Sequence, residues 1–223
     1  MQNHKLDFHT LHEFSNSNPY APIPPEFLNL FQKLVELQKK YSFPSVNNDI
    51  GNFLQFYTLV SQPKVIFEMG SGYGHSAFWF LLGDYLGSKS LEKIHLTEYR
   101  KDLEPEFKTL SWPTEWQEKL NYFQGNAFDL IEDLSFVDLA LIDGGKSDYL
   151  KFLKTLEPKM KSGSTVIIDN SYWRGSFLDP ELKEEHESAK KISQLHDYIA
   201  QATDVWNSLF IPYSDGLSLL RKR

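Results

Sequence analysis

The sequence predicts a doubly wound α/β fold built on a mostly parallel sheet. Short apolar runs alternate with helix-length stretches along most of the chain, the pattern of repeated βαβ units. The runs at 139–142 and 166–168 are apolar without alternation, as strands covered on both faces require. The run at 65–69 passes straight into Gly70-Ser71-Gly72-Tyr73-Gly74, and the later two end in Asp143 and Asp169. Open α/β sheets bind ligands at that carboxyl edge.

Each element has its own reason. Residues 1–24 are polar and broken by Pro22 and Pro24, so they read as an extension. From Pro25 a helix is expected, because Phe27, Leu30, Phe31, Leu34 and Leu37 recur at helical spacing. Asn47-Asn48-Asp49 offers caps for a second helix carrying Ile50, Phe53, Leu54 and Tyr57. Strands are expected at 64–69, 93–98, 121–124, 137–143 and 164–169, with helices between them, notably 75–86 and 149–160, and another at 188–202. The end differs: 206–213 and 217–220 flank Ser214-Asp215-Gly216, a hairpin signal, so the sheet should finish with an antiparallel strand. Residues 25–223 read as a single domain.

Composition narrows the function. A chain of 223 residues with 41% hydrophobic content can bury a sizeable core. A net charge of −7 leaves no overall footprint for nucleic acid or an anionic membrane. The absence of cysteine excludes disulfides, thiolate catalysis and cysteine metal ligands, and fits a reducing cytoplasm. No signal-type run opens the chain and no stretch is apolar enough to span a bilayer, so a soluble, cytoplasmic protein is expected.

Gly70, Gly72 and Gly74 follow a strand and precede a helix, whose amino terminus offers free N–H groups to a carboxylate or phosphate. The spacing is G-x-G-x-G, not the dinucleotide fingerprint G-x-G-x-x-G, and a P-loop lysine is absent. A ligand-free βα turn is the alternative. Glu68 and Glu98, at the tips of the first two strands, favour a nucleoside-containing cofactor, since a doubly wound fold puts a ribose-binding acid at the second tip. Asp143, Asp169 and Asn170 offer oxygen donors only, which suit Mg²⁺, Mn²⁺ or Ca²⁺. Lys146 lies three residues past Asp143, and near a metal its pKa can fall far enough for it to act as a base.

Together these residues resemble the S-adenosylmethionine-dependent O-methyltransferases of the catechol and caffeoyl-coenzyme A type. The family's E-I-G-x-x-x-G-Y-S appears as Glu68-Met69-Gly70-Ser71-Gly72-Tyr73-Gly74-His75-Ser76. Its I-D-A-D-K-x-x-Y appears as Ile142-Asp143-Gly144-Gly145-Lys146-Ser147-Asp148-Tyr149. Its D-N-x-x-W-x-G appears as Asp169-Asn170-Ser171-Tyr172-Trp173-Arg174-Gly175, and its closing G-D-G-L begins at Ser214. The resemblance covers roughly residue 25 to the end. It implies a Rossmann-like class I methyltransferase with a seven-stranded sheet and amino-terminal helices. It implies that Gly70, Gly72 and Ser76 hold the methionine moiety, with Ser71 and Asp143 among the cofactor contacts, that Glu68 lies beside that moiety, and that Glu98 binds the ribose. Asn126 and Ala127 would lie at the adenine. Asp143, Asp169 and Asn170 would hold a divalent metal, Lys146 would be the base, and Trp173 would line the pocket of a small phenolic acceptor. Tyr172, Phe177 and the stretch 176–187 are expected to border the same pocket. A homodimer is also implied.

The chain departs from the family pattern at several points. Gly145 stands where the family has a second acid that contacts the cofactor, Asn126 replaces an acid, His75 replaces a tyrosine, and the region before Gly51 matches poorly. None of these removes a metal ligand or the base. Three alternatives stay open: methylation of a hydroxylated uridine in tRNA, for which Arg174, Lys183, Lys190 and Lys191 would form a basic patch; a nicotinamide-dependent oxidoreductase; and a cofactor-binding relative without catalysis.

Overall fold

A computed structural model describes residues 23–223. The predicted extension 1–24 lies outside them except for Ile23 and Pro24. Seven strands form one sheet: β1 (Val65–Met69), β2 (Lys93–Glu98), β3 (Leu120–Gln124), β4 (Leu139–Ile142), β5 (Thr165–Ile168), β6 (Trp206–Ile211) and β7 (Leu217–Lys222). Their order is β3-β2-β1-β4-β5-β7-β6. The first five pair in parallel, and β7 runs antiparallel to both neighbours, as the Asp215-Gly216 turn predicted.

The helices are α1 (Leu28–Tyr41), α2 (Asn48–Ser61), α3 (His75–Leu86), α4 (Glu104–Thr109), α5 (Thr114–Gln117), α6 (Ala127–Asp133), α7 (Tyr149–Leu156), α8 (Pro180–Glu185) and α9 (Glu187–Gln201). Pro25 opens a 3₁₀ turn through Phe27, and α1 follows, burying Leu30, Leu34 and Leu37 on one face. The Asn47 side chain caps α2 by accepting from the Ile50 N–H at 2.9 Å. The helix expected at 149–160 stops at Leu156 and gives way to a 3₁₀ turn, Glu157–Lys159. Pro158 is the reason, since it lacks an N–H and its ring crowds the preceding turn. The strand expected from 137 begins at Leu139, because Asp138 turns its carboxylate to the N–H groups of Lys64 and Val65 at the foot of β1. The short helices α4, α5, α6 and α8 went unpredicted; fewer than two turns display too little periodicity to read.

Two apolar layers sandwich the sheet, and the strand pleat feeds both. Ile66, Leu139, Leu141 and Ile167 pack on the side of α1, α2 and α3. Phe67, Ala140, Ile142, Val166 and Ile168 pack on the side of α6, α7 and α9. Successive side chains point to opposite faces, so a strand with no polar residue serves two cores at once. Each large apolar side chain buried this way contributes about 1.5–3 kcal/mol. Among the described residues no helix is long and apolar enough to cross a membrane.

The α2–α3 contact holds the glycine turn's helix against the sheet, and it depends on two missing side chains. A Cβ on Gly51 would lie 2.2 Å from the Trp79 indole, and one on Gly83 would lie 2.3 Å from the Gln55 carbonyl oxygen. A backbone oxygen cannot swing aside, so Gly83→Ala is expected to force the helices apart and destabilise the protein by about 1–3 kcal/mol. Urea unfolding checks this; an unchanged midpoint would show that the contact relaxes freely.

Candidate active site

A cavity of about 980 Å³ opens at the carboxyl edge of the sheet. That is the size of a small-molecule site. Every parallel strand gives it a tip: Met69 and Gly70 from β1, 98–100 from β2, 125–128 from β3, 143–146 with Asp148 from β4, and Asp169, Asn170 and Trp173 from β5. Residues 43–45, between α1 and α2, and Ser188 on α9 close the sides.

The glycine turn is tied down from behind. Gly70, Gly72 and Gly74 all have positive φ, at 92°, 51° and 82°. The N–H groups of Gly70 and Ser71 donate to the Thr97 carbonyl, and the Ser71 hydroxyl accepts from the Thr97 N–H at 3.1 Å. Glu98 accepts from the Gly72 N–H at 2.9 Å and from the Arg100 N–H at 2.8 Å, so one carboxylate fixes the turn to the tip of β2. The Ser76 hydroxyl donates to Glu68 Oε1, while Oε2 of the same group has no partner among the described residues. Burial pushes the Glu68 carboxyl up to about 8, and the charges of Asp143 and Glu98 add to the effect. His75 is buried with both ring nitrogens unpartnered, and burial lowers its pKa to about 4, so it is a neutral filler beside Phe31.

Of the residues expected at the cofactor, Gly70, Glu98, Asn126, Ala127 and Asp143 line the cavity. Glu68, Ser71, Gly72 and Ser76 stand one layer behind it. The Phe43 ring lies on Gly72, where a Cβ would approach it to 2.4 Å. Arg100 in turn sits over Phe43, its guanidinium 5.5 Å from the ring centre. The loop 43–45, from the poorly matching region, is therefore part of the site, and no motif in its residues marks it.

The expected metal ligands and base do converge. Lys146 Nζ donates to Asn170 Oδ1 at 2.8 Å and to the Tyr149 hydroxyl at 2.5 Å, and lies 3.5 Å from Asp143 Oδ1. The Tyr149 hydroxyl donates onward to the Asp169 carbonyl at 3.1 Å. Asp169 Oδ1 accepts from the Asn170 N–H at 2.7 Å. Partial burial raises the Asp143 carboxyl, with the charge of Asp169 adding and Lys146 opposing; burial also raises Asp169. Half-buried Asp143 and buried Asp169 face one ammonium, a field that a divalent cation would relieve. Among the described residues no three Asp, Glu or His side chains are grouped so as to hold a metal ion, so the protein's share of such a site would be two carboxylates and the Asn170 amide. That donor set, all hard oxygen, fits Mg²⁺, Mn²⁺ or Ca²⁺ with water or substrate completing the shell.

A strained loop presents Asn170 and Trp173. Asn170, Trp173, Arg174 and Gly175 have φ of 52°, 44°, 55° and 74°. Asparagine and glycine tolerate that region; tryptophan and arginine do so only under constraint. The constraint is the β6–β7 turn. Asp215 accepts from the Arg174 N–H at 2.6 Å through its side chain and from the Tyr172 N–H at 2.8 Å through its carbonyl. The Gly216 carbonyl takes the Ser171 N–H, and His196 Nε2 donates to the Ser171 carbonyl at 2.7 Å.

One sequence expectation needs correction here. Tyr172, Phe177 and the rest of 176–187 do not border the cavity; Trp173 and Ser188 do. Phe177 stacks on His196 at 4.5 Å, and Tyr172 packs on the hairpin turn beside Gly216. Arg174, Lys183, Lys190 and Lys191, the residues of the tRNA alternative, lie between Trp173 and the start of α9 with acids among them. Lys191 pairs with Glu187, Lys183 meets Ser193, and Glu181, Glu184 and Glu185 are exposed among them.

Comparison with known proteins agrees with this architecture. The profile of a family described as O-methyltransferase matches residues 25–223. A flavonoid 3',5'-methyltransferase of Vitis vinifera is 24% identical, over 86% of this chain and 85% of its own length. A caffeoyl-CoA O-methyltransferase of Stellaria longipes is 22% identical, over 97% of this chain and 92% of its own. Among solved structures, the O-methyltransferase of Bacillus cereus in complex with SAH superposes with a TM-score of 0.78 at 16% identity, covering 97% of this chain and 100% of that one. TomG of Streptomyces achromogenes, in complex with SAM, gives 0.77 at 17%, covering 95% and 94%.

Glu68 makes stability depend on pH. Unfolded, it loses its proton near 4.5; folded, it keeps it to about 8. Between those values the native state holds the extra proton, so stability falls as pH rises and levels off above the folded value. Melting temperatures measured between about pH 5 and 8 are expected to decline, and Glu68→Gln to flatten the decline. Parallel curves for the two proteins would contradict this.

Proposed function

The chain belongs to the O-methyltransferase family, and we propose that it moves the methyl group of S-adenosylmethionine to a hydroxyl of a small, vicinal dihydroxy-aromatic acceptor, with help from a divalent cation. One observation carries the reading: Lys146, Asp143, Asp169 and Asn170 meet at one end of a cavity whose other end is bordered by Glu98, Asn126 and Ala127. A cation held by Asp143, Asp169 and Asn170 would supply Lewis acidity to acceptor oxygens, as S-adenosylmethionine would supply the methyl.

The chain's own residues do the rest. Glu98 and the tips of β1 and β3 orient the cofactor, so that approach of the reactants is largely a matter of positioning. Lys146 Nζ, in its neutral amine form, receives the proton of the reacting hydroxyl. The Tyr149 hydroxyl and the Asn170 amide fix where that amine points. The Trp173 ring, 5.7 Å from Lys146 Nζ, gives a flat apolar wall suited to an aromatic acceptor. The name of the Vitis relative supports a phenolic acceptor.

Lys146→Ala is expected to lower kcat roughly 10²–10⁴-fold, the usual worth of a positioned base, with S-adenosylhomocysteine affinity nearly unchanged. Calorimetry beside the assay tests this; loss of both together would remove the base role. Asp169→Ala should abolish EDTA-sensitive transfer to catechols. Transfer of label to tRNA alone, in the same assay, would move the acceptor to the other class.

A further inference from the structure

Gly145 is unlike the other glycines of the site. Its φ is −65°, open to any residue. A Cβ there would meet nothing closer than 3.7 Å, and the atom at that distance is Oδ2 of Asp148. The backbone therefore does not require glycine at 145; the room a side chain would take is left beside a carboxylate supplied from three residues on. The 3₁₀ turn Lys146–Asp148 brings it there, closed by the Asp148 N–H donating to the Gly145 carbonyl at 3.0 Å.

Asp148 lines the cavity, and its carboxylate has no hydrogen-bond or ion-pair partner among the described residues. Lys151, one turn along, does not neutralise it but lies over the Phe128 ring at 4.5 Å. Phe128 also packs edge-on against Phe152 at 5.2 Å. These contacts seat the start of α7 against the start of α6, so Asp148 stands on the same side of the cavity as 126–128. A carboxylate only accepts hydrogen bonds, so an unpartnered one beside a ligand site selects for a donor.

We infer that Asp148 reads the purine of the cofactor, accepting from its exocyclic 6-amino group. This rests on the reading of the cavity as an S-adenosylmethionine site, with the adenine beyond Glu98 at 126–128. A 6-oxo purine would turn an oxygen toward the carboxylate and be repelled; a 6-amino purine offers an N–H. An aspartate introduced at 145 would put its carboxylate in the same space.

The test titrates wild type, Asp148→Asn, Asp148→Ala and the double variant Asp148→Ala with Gly145→Asp against S-adenosylhomocysteine and S-inosylhomocysteine by calorimetry. Wild type is expected to prefer the adenosyl compound by about tenfold or more, the worth of a hydrogen bond to a charged group. Asp148→Asn should shrink that ratio about tenfold, because an amide can also donate to the 6-oxo oxygen. Gly145→Asp should restore the preference lost in Asp148→Ala. Wild-type binding with an unchanged ratio in both single variants would overturn the inference alone. Failure of wild type to bind S-adenosylhomocysteine would overturn the cofactor reading and this inference with it.

Discussion

A strand covered on both faces has no place for an unpaired polar side chain, and that constraint shapes this molecule. β1, β4 and β5 sit at the centre of the sheet with their middles wholly apolar apart from Glu68. Polar chemistry is displaced to where the strands end and the backbone meets solvent. Because the strands are parallel, those ends lie on one edge. Glu98, Asp143 and Asp169 are separated by 45 and 26 residues in sequence, yet each sits at or just past the tip of its strand.

The convergence has an electrostatic cost. Burying acids beside one another raises their pKa values and lowers stability at neutral pH. Lys146 offsets part of this by standing between Asp143 and Asn170, with Tyr149 holding it from the protein side. The arrangement is polarised before any ligand arrives: a cation-seeking end at β4 and β5, and an end at β2 and β3 where Glu98 is already anchored by two backbone N–H groups. Preorganised polar groups of this kind need little rearrangement during reaction.

Strain at the other flank follows the same logic. Asn170 and Trp173 can face the cavity only if the chain after β5 coils through several positive-φ residues. The antiparallel hairpin makes that coil affordable. Its Asp215 and Gly216 hold the backbone of 171, 172 and 174, so a feature that looks like a sheet ending also positions the acceptor side of the site.

The order of the strands and the long helices, the antiparallel ending and the converging residues Asp143, Lys146, Asp169 and Asn170 were legible in the sequence, because period, glycine turns and strand-end residues are local signals and a parallel sheet converts them into one edge. Tertiary structure alone decided the rest. Whether Tyr172 or Trp173 faces the cavity depends on φ values imposed by a hairpin more than forty residues away. That Ser71 stands behind the cavity, its hydroxyl accepting from the Thr97 N–H, follows from the packing of β1 against β2. That the loop 43–45 closes over Gly72, and that Asp148 stands beside the room left at Gly145, are facts of packing between segments whose sequences carry no mark of each other.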